Sequence, residues 1–576
     1  GPRTCQRLPV GPKYRRRPRM SLERPAIVQG DRSVLLEVAH PGYEEARQLL
    51  GRFAEIEKSP EHVHTYRISD LSLWNAAAAG MGADAILDAL RSVSRFELPG
   101  HLEHEVRERI ERYGVCSLHA LAHDPARLRL AVSQPFVRER LAGDKRVGPL
   151  LSACPDGFLL DIEQRGAIKQ ALLKLGFPVT DNAGLKPGAP LRFGLRLDRF
   201  TPYVYQTQAA TAFAESGGHG VVVLPCGAGK TVVAMLAMCA IETHTLVITT
   251  GREACSQWRR ELLSKTDLPE ASVRVFEAGS APLAPVTVTS YAMLARKGGG
   301  GPTGHLHFDR LASAPWGLIV YDEVHLLPAP VFRLTAELQA RRRLGLTATL
   351  IREDGREGDV FALIGPKRYD IPWRQLETSG HIAAASCYEL RVELPHELRA
   401  RYANADAQEQ PRLAAENPLK LRALQELAER HSGDRLLVLG TYLDSLKTAA
   451  KLLGAPLISG ETPHAERERH YAAFRRGEQR RLLLSRVGNF AIDLPEANVL
   501  VQLSGTMGSR QEEAQRLGRV LRPKPGGATF YSLVTRDTVD QQHALHRQLF
   551  LTEQGYRYYI EDWQQEAEQT DGPQIH

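Results

Sequence analysis

The chain is 576 residues long, carries 74 lysines and arginines against 67 aspartates and glutamates, and is 43% hydrophobic. This composition excludes a disordered or fibrous chain and gives length for roughly three or four globular domains. The net charge of +7 is compatible with a polyanionic partner, the 7 cysteines include no Cys-x-x-Cys pair of the kind that holds zinc or iron–sulfur clusters, and no apolar run reaches membrane-spanning length.

An odd number of scattered cysteines fits a reducing compartment, so a cytoplasmic location with no membrane partner is expected. Gly1-Pro2 looks like a protease scar. Residues 1–24 read as a basic, proline-bearing, disordered leader. Arg15-Arg16-Arg17 would serve either as a nucleic-acid-touching arm or as sequence upstream of a natural start at Met20. From residue 25 to 150 short mixed elements follow. Strands are expected at Ser33–Val38 and His64–Ile68, and helices at Tyr43–Phe53, Ala85–Val93 and His104–Tyr113. Nothing here has catalytic spacing, and a docking domain is the expectation. Residues 151–191 contribute a strand at Phe158–Ile162 and a helix at Ile168–Leu175, then a Gly- and Pro-rich linker.

A first α/β pattern covers residues 192–377. Its centre is Val221-Val222-Val223-Leu224-Pro225-Cys226-Gly227-Ala228-Gly229-Lys230-Thr231, a buried strand, a glycine loop and a helix start. Small glycines let backbone N–H groups wrap phosphate oxygens, and the helix turns its positive end to the anion. Gly227 and Gly229 would shape that cradle, Lys230 would reach the β- and γ-phosphates, and the Thr231 hydroxyl would ligate Mg²⁺. Leu224 stands where the general pattern has its first glycine. Gln206, one short helix upstream, has an amide suited to the adenine edge, or is an ordinary helix glutamine. Two further strands end in hydroxyls, at Thr250 and Ser290. These residues and Gln257 would contact the phosphates of a bound strand, or simply cap helices.

The strand Leu318-Ile319-Val320-Tyr321 delivers Asp322 and Glu323 at its carboxyl end. Asp322 would hold Mg²⁺, and Glu323 would orient or deprotonate the attacking water. Leu344–Thr349 repeats the design, and the Thr347 and Thr349 hydroxyls would couple phosphate state to domain movement. A second α/β pattern covers 378–576, with buried strands at Leu436–Gly440, Arg481–Ser485 and Val499–Leu503 and a helix at Tyr442–Leu453. It has no glycine loop. It has Gln515, Arg519 and Arg522 at helical spacing on one face. Across a cleft two guanidiniums would reach a γ-phosphate, or the helix is a solvated basic one.

This ordered set resembles superfamily 2 helicases of the XPB family. The matching residues are Leu224–Thr231, Asp-Glu-Val-His at Asp322–His325, Leu346–Leu350, Arg352-Glu353-Asp354, Leu363–Lys367, Asp493–Ala497 and Gln515–Arg522. The resemblance runs from about Tyr203 to the C-terminus and implies two RecA-like parallel-sheet motor domains behind a mixed α+β N-terminal region. It implies an ATP- and Mg²⁺-dependent 3′→5′ DNA helicase or duplex translocase linked to nucleotide excision repair, acting on forked or damaged duplex and single strands. Some archaeal relatives work with a nuclease, a possible partner here. Arg352, Glu353 and Asp354 correspond to the family's strand-separating element. Residues 25–150 and 151–191 then correspond to the family's docking and damage-recognition regions. The thumb insertion falls at about 395–417 and is short, with Arg399, Arg401 and Arg412 as candidate DNA contacts. Gly488–Ile492 lacks the Asp-Thr-Ser of the eukaryotic pattern.

Overall fold

The computed structural model describes residues 24–58, 62–183, 187–225, 227–277, 282–296, 306–326, 334–335, 338, 340–348, 357–371, 376, 379–380, 385–485, 497–504, 527–553 and 556–564. Two compact units divide them: residues 1–76 with 81–110, and residues 77–80 with 111–576. In the first unit, β1 (Ala26–Val28), β2 (Ser33–Glu37), β3 (Glu55–Lys58) and β4 (Val63–Arg67) form an antiparallel sheet in the order β1-β2-β4-β3. The alternation in these strands leaves one face buried: Val34 and Leu36 are fully enclosed, as are Ile86, Leu87 and Leu90 of the amphipathic helix Ala83–Val93.

The second unit begins with a five-stranded sheet of β5 (Cys116–Ala120), β6 (Arg127–Val132), β7 (Ser152–Cys154), β8 (Gly157–Asp161) and β9 (Val179–Asp181). Its order is β7-β8-β6-β5-β9, antiparallel except where β9 joins β5. One hydrogen-bonded sheet thus draws strands from both sides of residue 150. The helix Arg165–Lys174 packs Ile168 and Leu172 into this module's core.

Two larger sheets follow, and in both every neighbouring pair is parallel. The first holds β10 (His219–Val223), β11 (Thr245–Thr249), β12 (Val273–Val275), β13 (Val286–Ser290), β14 (Leu318–Asp322), β15 (Arg342–Thr347) and β16 (Lys367–Asp370), in the order β12-β13-β11-β14-β15-β10-β16. Strands covered on both faces are apolar at their centres, which is why β10, β11 and β14 each carry an unbroken Val/Ile/Leu run, Val221–Val223, Leu246–Ile248 and Leu318–Val320. The second holds β17 (Ala385–Val392), β18 (Leu436–Gly440), β19 (Leu457–Ile458), β20 (Arg481–Ser485), β21 (Val499–Gln502), β22 (Ala528–Thr535) and β23 (Arg557–Asp562), in the order β19-β20-β18-β21-β22-β17-β23. Parallel pairing sends every carboxyl end of a sheet to one edge, where ligands of open α/β sheets bind. In the first sheet β14, β15 and β10 are adjacent. Topology alone therefore gathers the loop after β10, the Asp322-Glu323 pair and Thr347 into one place. Among the described residues no helix is long and apolar enough to cross a membrane.

Candidate nucleotide site

The loop after β10 closes through two glycines in left-handed backbone, Gly227 at φ 81° and Gly229 at φ 74°. A side chain is strained at such angles. At Gly229 a Cβ would also lie 2.4 Å from Gln206 Nε2, so only glycine fits. The helix Lys230–Ile241 starts at the next residue and buries Val232, Val233 and Met235 beneath the sheet.

Gln206 is buried, with both ends of its amide engaged inside the protein. Its Oε1 accepts from the Tyr203 backbone N–H at 2.9 Å, and its Nε2 donates to the Ala228 carbonyl at 2.9 Å. The Tyr205 hydroxyl donates to the same carbonyl at 2.8 Å. Gln206 thus braces the glycine loop from behind.

Lys230 Nζ lies 2.8 Å from Glu323 Oε1, and both side chains are largely buried. Glu323 stands in left-handed backbone at φ 50°, an angle costly for a side-chain-bearing residue, which turns its carboxylate back over the loop. Burial alone would push the Glu323 carboxyl up. Lys230, His325 and the Ala348 backbone N–H outweigh burial and hold it below the usual carboxylate range. Its neighbour behaves oppositely: burial and the adjacent Glu323 charge push Asp322 up to about 6. Trp258 Nε1 donates to Asp322 Oδ2 at 2.7 Å, and the Tyr291 hydroxyl donates to the Asp322 carbonyl at 2.9 Å. His325 Nδ1 and Thr347 Oγ1 are 2.7 Å apart, joining the acidic strand end to the end of β15.

The geometry brings Gln206, Gly227, Gly229, Lys230, Asp322, Glu323 and Thr347 together. Thr231 follows Lys230 in the helix's first turn. The fit to a Mg²⁺-bound triphosphate is good: a left-handed glycine cradle, a helix amino terminus, one amino group, one hydroxyl and two carboxylates, of which one is paired with that amino group. Thr250 is exposed at the end of β11. Ser290 serves as a helix cap, its hydroxyl accepting from the Met293 N–H at 3.3 Å. Gln257 is exposed one position before the buried Trp258. Arg399, Arg401 and Arg412 lie on the helices His396–Asn404 and Glu409–Ala415, exposed and close to Glu393, Glu409 and Glu416 respectively. Thr349, Arg352, Glu353, Asp354, Gln515, Arg519 and Arg522 fall outside the described residues, as does the stretch 488–492. Trp258 and Tyr291 carry no motif of their own. The one local signal was a buried-face tryptophan on the helix leaving a hydroxyl-ended strand.

A glycine loop feeding a helix, an Asp-Glu strand end beside it and a second parallel sheet downstream define a helicase-type motor. The sequence pattern of the ERCC3/RAD25/XPB C-terminal helicase family matches residues 376–575. That of the type III restriction enzyme res subunit matches 199–352, and that of the helicase conserved C-terminal domain matches 26–153. The chain is 48% identical over 542 residues to the DNA 3′-5′ helicase XPB of Kineococcus radiotolerans, covering 93% of this chain and 96% of that one. It is 48% identical to the DNA 3′-5′ helicase XPB of Mycobacterium tuberculosis, at 93% and 98% coverage. The XPB/SSL2 helicase/translocase subunit of general transcription and DNA repair factor IIH in Saccharomyces cerevisiae is 30% identical, at 93% and 71% coverage. Among solved structures, the Pyrococcus furiosus Hef helicase domain is similar at 17% identity and TM-score 0.44, covering 61% of this chain and 99% of that one. The chain belongs to the XPB family of superfamily 2 helicases.

Proposed function

We propose that this protein is an ATP-driven 3′→5′ DNA helicase or translocase that opens duplex DNA in nucleotide excision repair. The observation that carries the reading is the buried Lys230–Glu323 ion pair, 2.8 Å long, at the mouth of the glycine loop and beside Asp322. In this arrangement the lysine's charge is satisfied by the residue suited to activate water. An incoming phosphate competes for Lys230, and the exchange releases the Glu323 carboxylate to take up an attacking water. The resting site thus suppresses its own base until the correct anion arrives. Gly227 and Gly229 present backbone N–H groups to phosphate oxygens, while Thr231 and Asp322 are the groups that would hold Mg²⁺. The metal, when bound, neutralises charge developing on the phosphates. Gln206 acts by keeping the loop in shape. Gln515, Arg519 and Arg522 are the groups that would close over the γ-phosphate from the second sheet, and arginines in that role contribute about 10³-fold or more to rate. Thr347, linked to His325, ties the acidic strand end to the segment bearing Thr349, Arg352, Glu353 and Asp354, a route from hydrolysis to strand separation.

The test is ATP hydrolysis alone, with single-stranded DNA, with a forked duplex and with matching RNA, beside a strand-displacement assay. Strong stimulation by the fork is expected, together with loss of turnover by 100-fold or more, on the order of one catalytic group's contribution, in Glu323→Gln and Lys230→Ala. Normal turnover in either variant would sink the assignment. Stimulated hydrolysis without strand displacement would identify a duplex translocase or a clamp that positions a partner nuclease.

A further inference from the structure

In the second large sheet three tyrosines stand side by side on neighbouring strands. Tyr531 of β22 and Tyr559 of β23 are the register partners of Tyr388 on β17. Register partners on adjacent strands share a face, so the three rings line up across the sheet. Tyr388 stacks on Tyr531 with 5.2 Å between ring centroids and 23° between planes, and on Tyr559 at 5.1 Å and 24°. The row runs from inside to outside. Tyr531 is buried, Tyr388 is half-buried, and Tyr559 on the edge strand is exposed.

Cross-strand aromatic stacking by itself only stabilises a sheet. The inner end of this row carries more. There the Tyr531 hydroxyl lies 3.0 Å from His431 Nε2, and His431 Nδ1 lies 2.9 Å from Asp434 Oδ2. A carboxylate can only accept, so Nδ1 holds a proton. Nε2 of the neutral ring is then the acceptor, and the Tyr531 hydroxyl donates to it. Asp434 thus sets the tautomer and stands ready to balance a positive imidazole. Arg430, the last residue of the helix Pro418–Arg430, donates to the same hydroxyl oxygen. Burial outweighs that cation and holds the phenol above the usual tyrosine range, so Tyr531 keeps its proton in the resting protein.

We propose that Tyr531, His431 and Asp434 form a proton-coupled redox centre, connected to solvent through Tyr388 and Tyr559, that takes up one oxidising equivalent from a strong one-electron oxidant of the carbonate-radical class. The oxidant is reduced by one electron from Tyr559 at the sheet edge. Tyr388 refills Tyr559, and Tyr531 refills Tyr388, so the electron vacancy moves inward along the stacked rings. As the electron leaves Tyr531, its O–H bond breaks and the proton forms a new N–H bond at His431 Nε2. The products are a neutral tyrosyl radical and an imidazolium facing Asp434. Loss of the proton holds the vacancy at Tyr531, because a neutral tyrosyl radical is a weaker oxidant than its cation. One electron returned by a thiol-class reductant reverses both movements.

The test is flash oxidation of the full chain by photogenerated tris(bipyridine)ruthenium(III), with a cobalt(III) ammine as the sacrificial acceptor, read by optical absorption and high-field electron paramagnetic resonance. A long-lived tyrosyl radical is expected, with the g-tensor shift of a phenoxyl oxygen hydrogen-bonded to a cation, and it should form more slowly in deuterium oxide. Tyr531→Phe should abolish that signal. His431→Asn should remove the g-shift and shorten the radical's lifetime by about tenfold, the scale of one charge-assisted hydrogen bond. Tyr388→Phe, which interrupts the row, should lower the yield, while Tyr43→Phe in the first unit leaves it unchanged. A shifted signal that survives Tyr531→Phe would overturn the proposal, as would equal rates of formation in the two waters. If His431→Asn fails to fold, the isotope effect in the wild-type chain and Tyr531→Phe, which loses a single oxygen, decide.

Discussion

Glu323 shows how far one side chain is shaped by its neighbours. Its left-handed backbone, φ 50°, is a local cost of about 1–3 kcal/mol that the surrounding structure must overcome. The return is a carboxylate within 2.8 Å of Lys230. Asp322, next in the chain, is governed from elsewhere. Trp258, 64 positions away, donates to Asp322 Oδ2 at 2.7 Å and thereby fixes which carboxylate oxygen turns toward the loop. A hydrogen bond to a charged group contributes roughly 1.5–3 kcal/mol. Trp258→Phe keeps the ring and deletes the donor. It should raise the Mg²⁺ concentration needed for half-maximal ATP hydrolysis by about tenfold while leaving turnover at saturating Mg²⁺ within about twofold. An unchanged Mg²⁺ requirement would show that Trp258 only packs.

Elements were legible in the sequence wherever burial is two-sided. The runs at Thr245–Thr249, Leu318–Tyr321, Leu436–Gly440 and Arg481–Ser485 stand as strands within a residue or two of expectation, because a parallel strand between two helix layers tolerates little besides aliphatic side chains. The glycine loop and the Asp-Glu strand end were legible for a related reason, since their chemistry needs fixed neighbours in sequence. What the sequence hid is contact across distance: Lys230 with Glu323, Trp258 with Asp322, Arg165 with Asp181. It also hid β5 and β6, whose alternation of Leu with Ser, His and Arg resembles solvated loop and places an expected boundary inside one sheet. The antiparallel sheet of the first unit carries its own test. His64 on β4 is buried opposite Leu36 of β2, within 2.8 Å of the Tyr43 hydroxyl. Burial first, then the Arg47 charge, lowers its imidazole from 6.5 to about 4. Between those values the unfolded chain binds the proton and the folded one does not. Stability therefore falls as pH drops from 6.5 to 4, by up to about 3 kcal/mol. Protection factors of the β2 and β4 amides, taken relative to the intrinsic exchange rate at each pH, should fall over that window. His64→Asn should flatten the dependence, and a variant that loses protection as steeply as the wild type would place the acid sensitivity elsewhere.

Across the whole molecule the positive excess is only +7, so DNA affinity must come from local arrangement. On the two short helices 396–404 and 409–415 the exposed Arg401 pairs with the half-buried Glu409 at 2.8 Å, and the exposed Arg412 pairs with the half-buried Glu416, just past the second helix, at 2.8 Å and with Asp444 at 3.3 Å. Surface pairs of this kind contribute little, about 0–1 kcal/mol, because water and salt compete for both partners. A phosphate can therefore displace the carboxylate, and each arginine is a latent backbone contact whose strength is reduced by its own glutamate. If this insertion grips DNA, Glu409→Gln should tighten binding by roughly two- to fivefold at low salt, since the competing charge is gone while the side-chain shape remains. Arg401→Ala should weaken binding and lower the slope of log affinity against log salt by about one. Fluorescence anisotropy of a labelled fork at several salt concentrations reads both. Opposite signs from the two members of one ion pair would mark a DNA contact. Equal and negligible effects would mean that these helices face away from the strand, and that grip resides in the hydroxyl-ended strands of the two sheets.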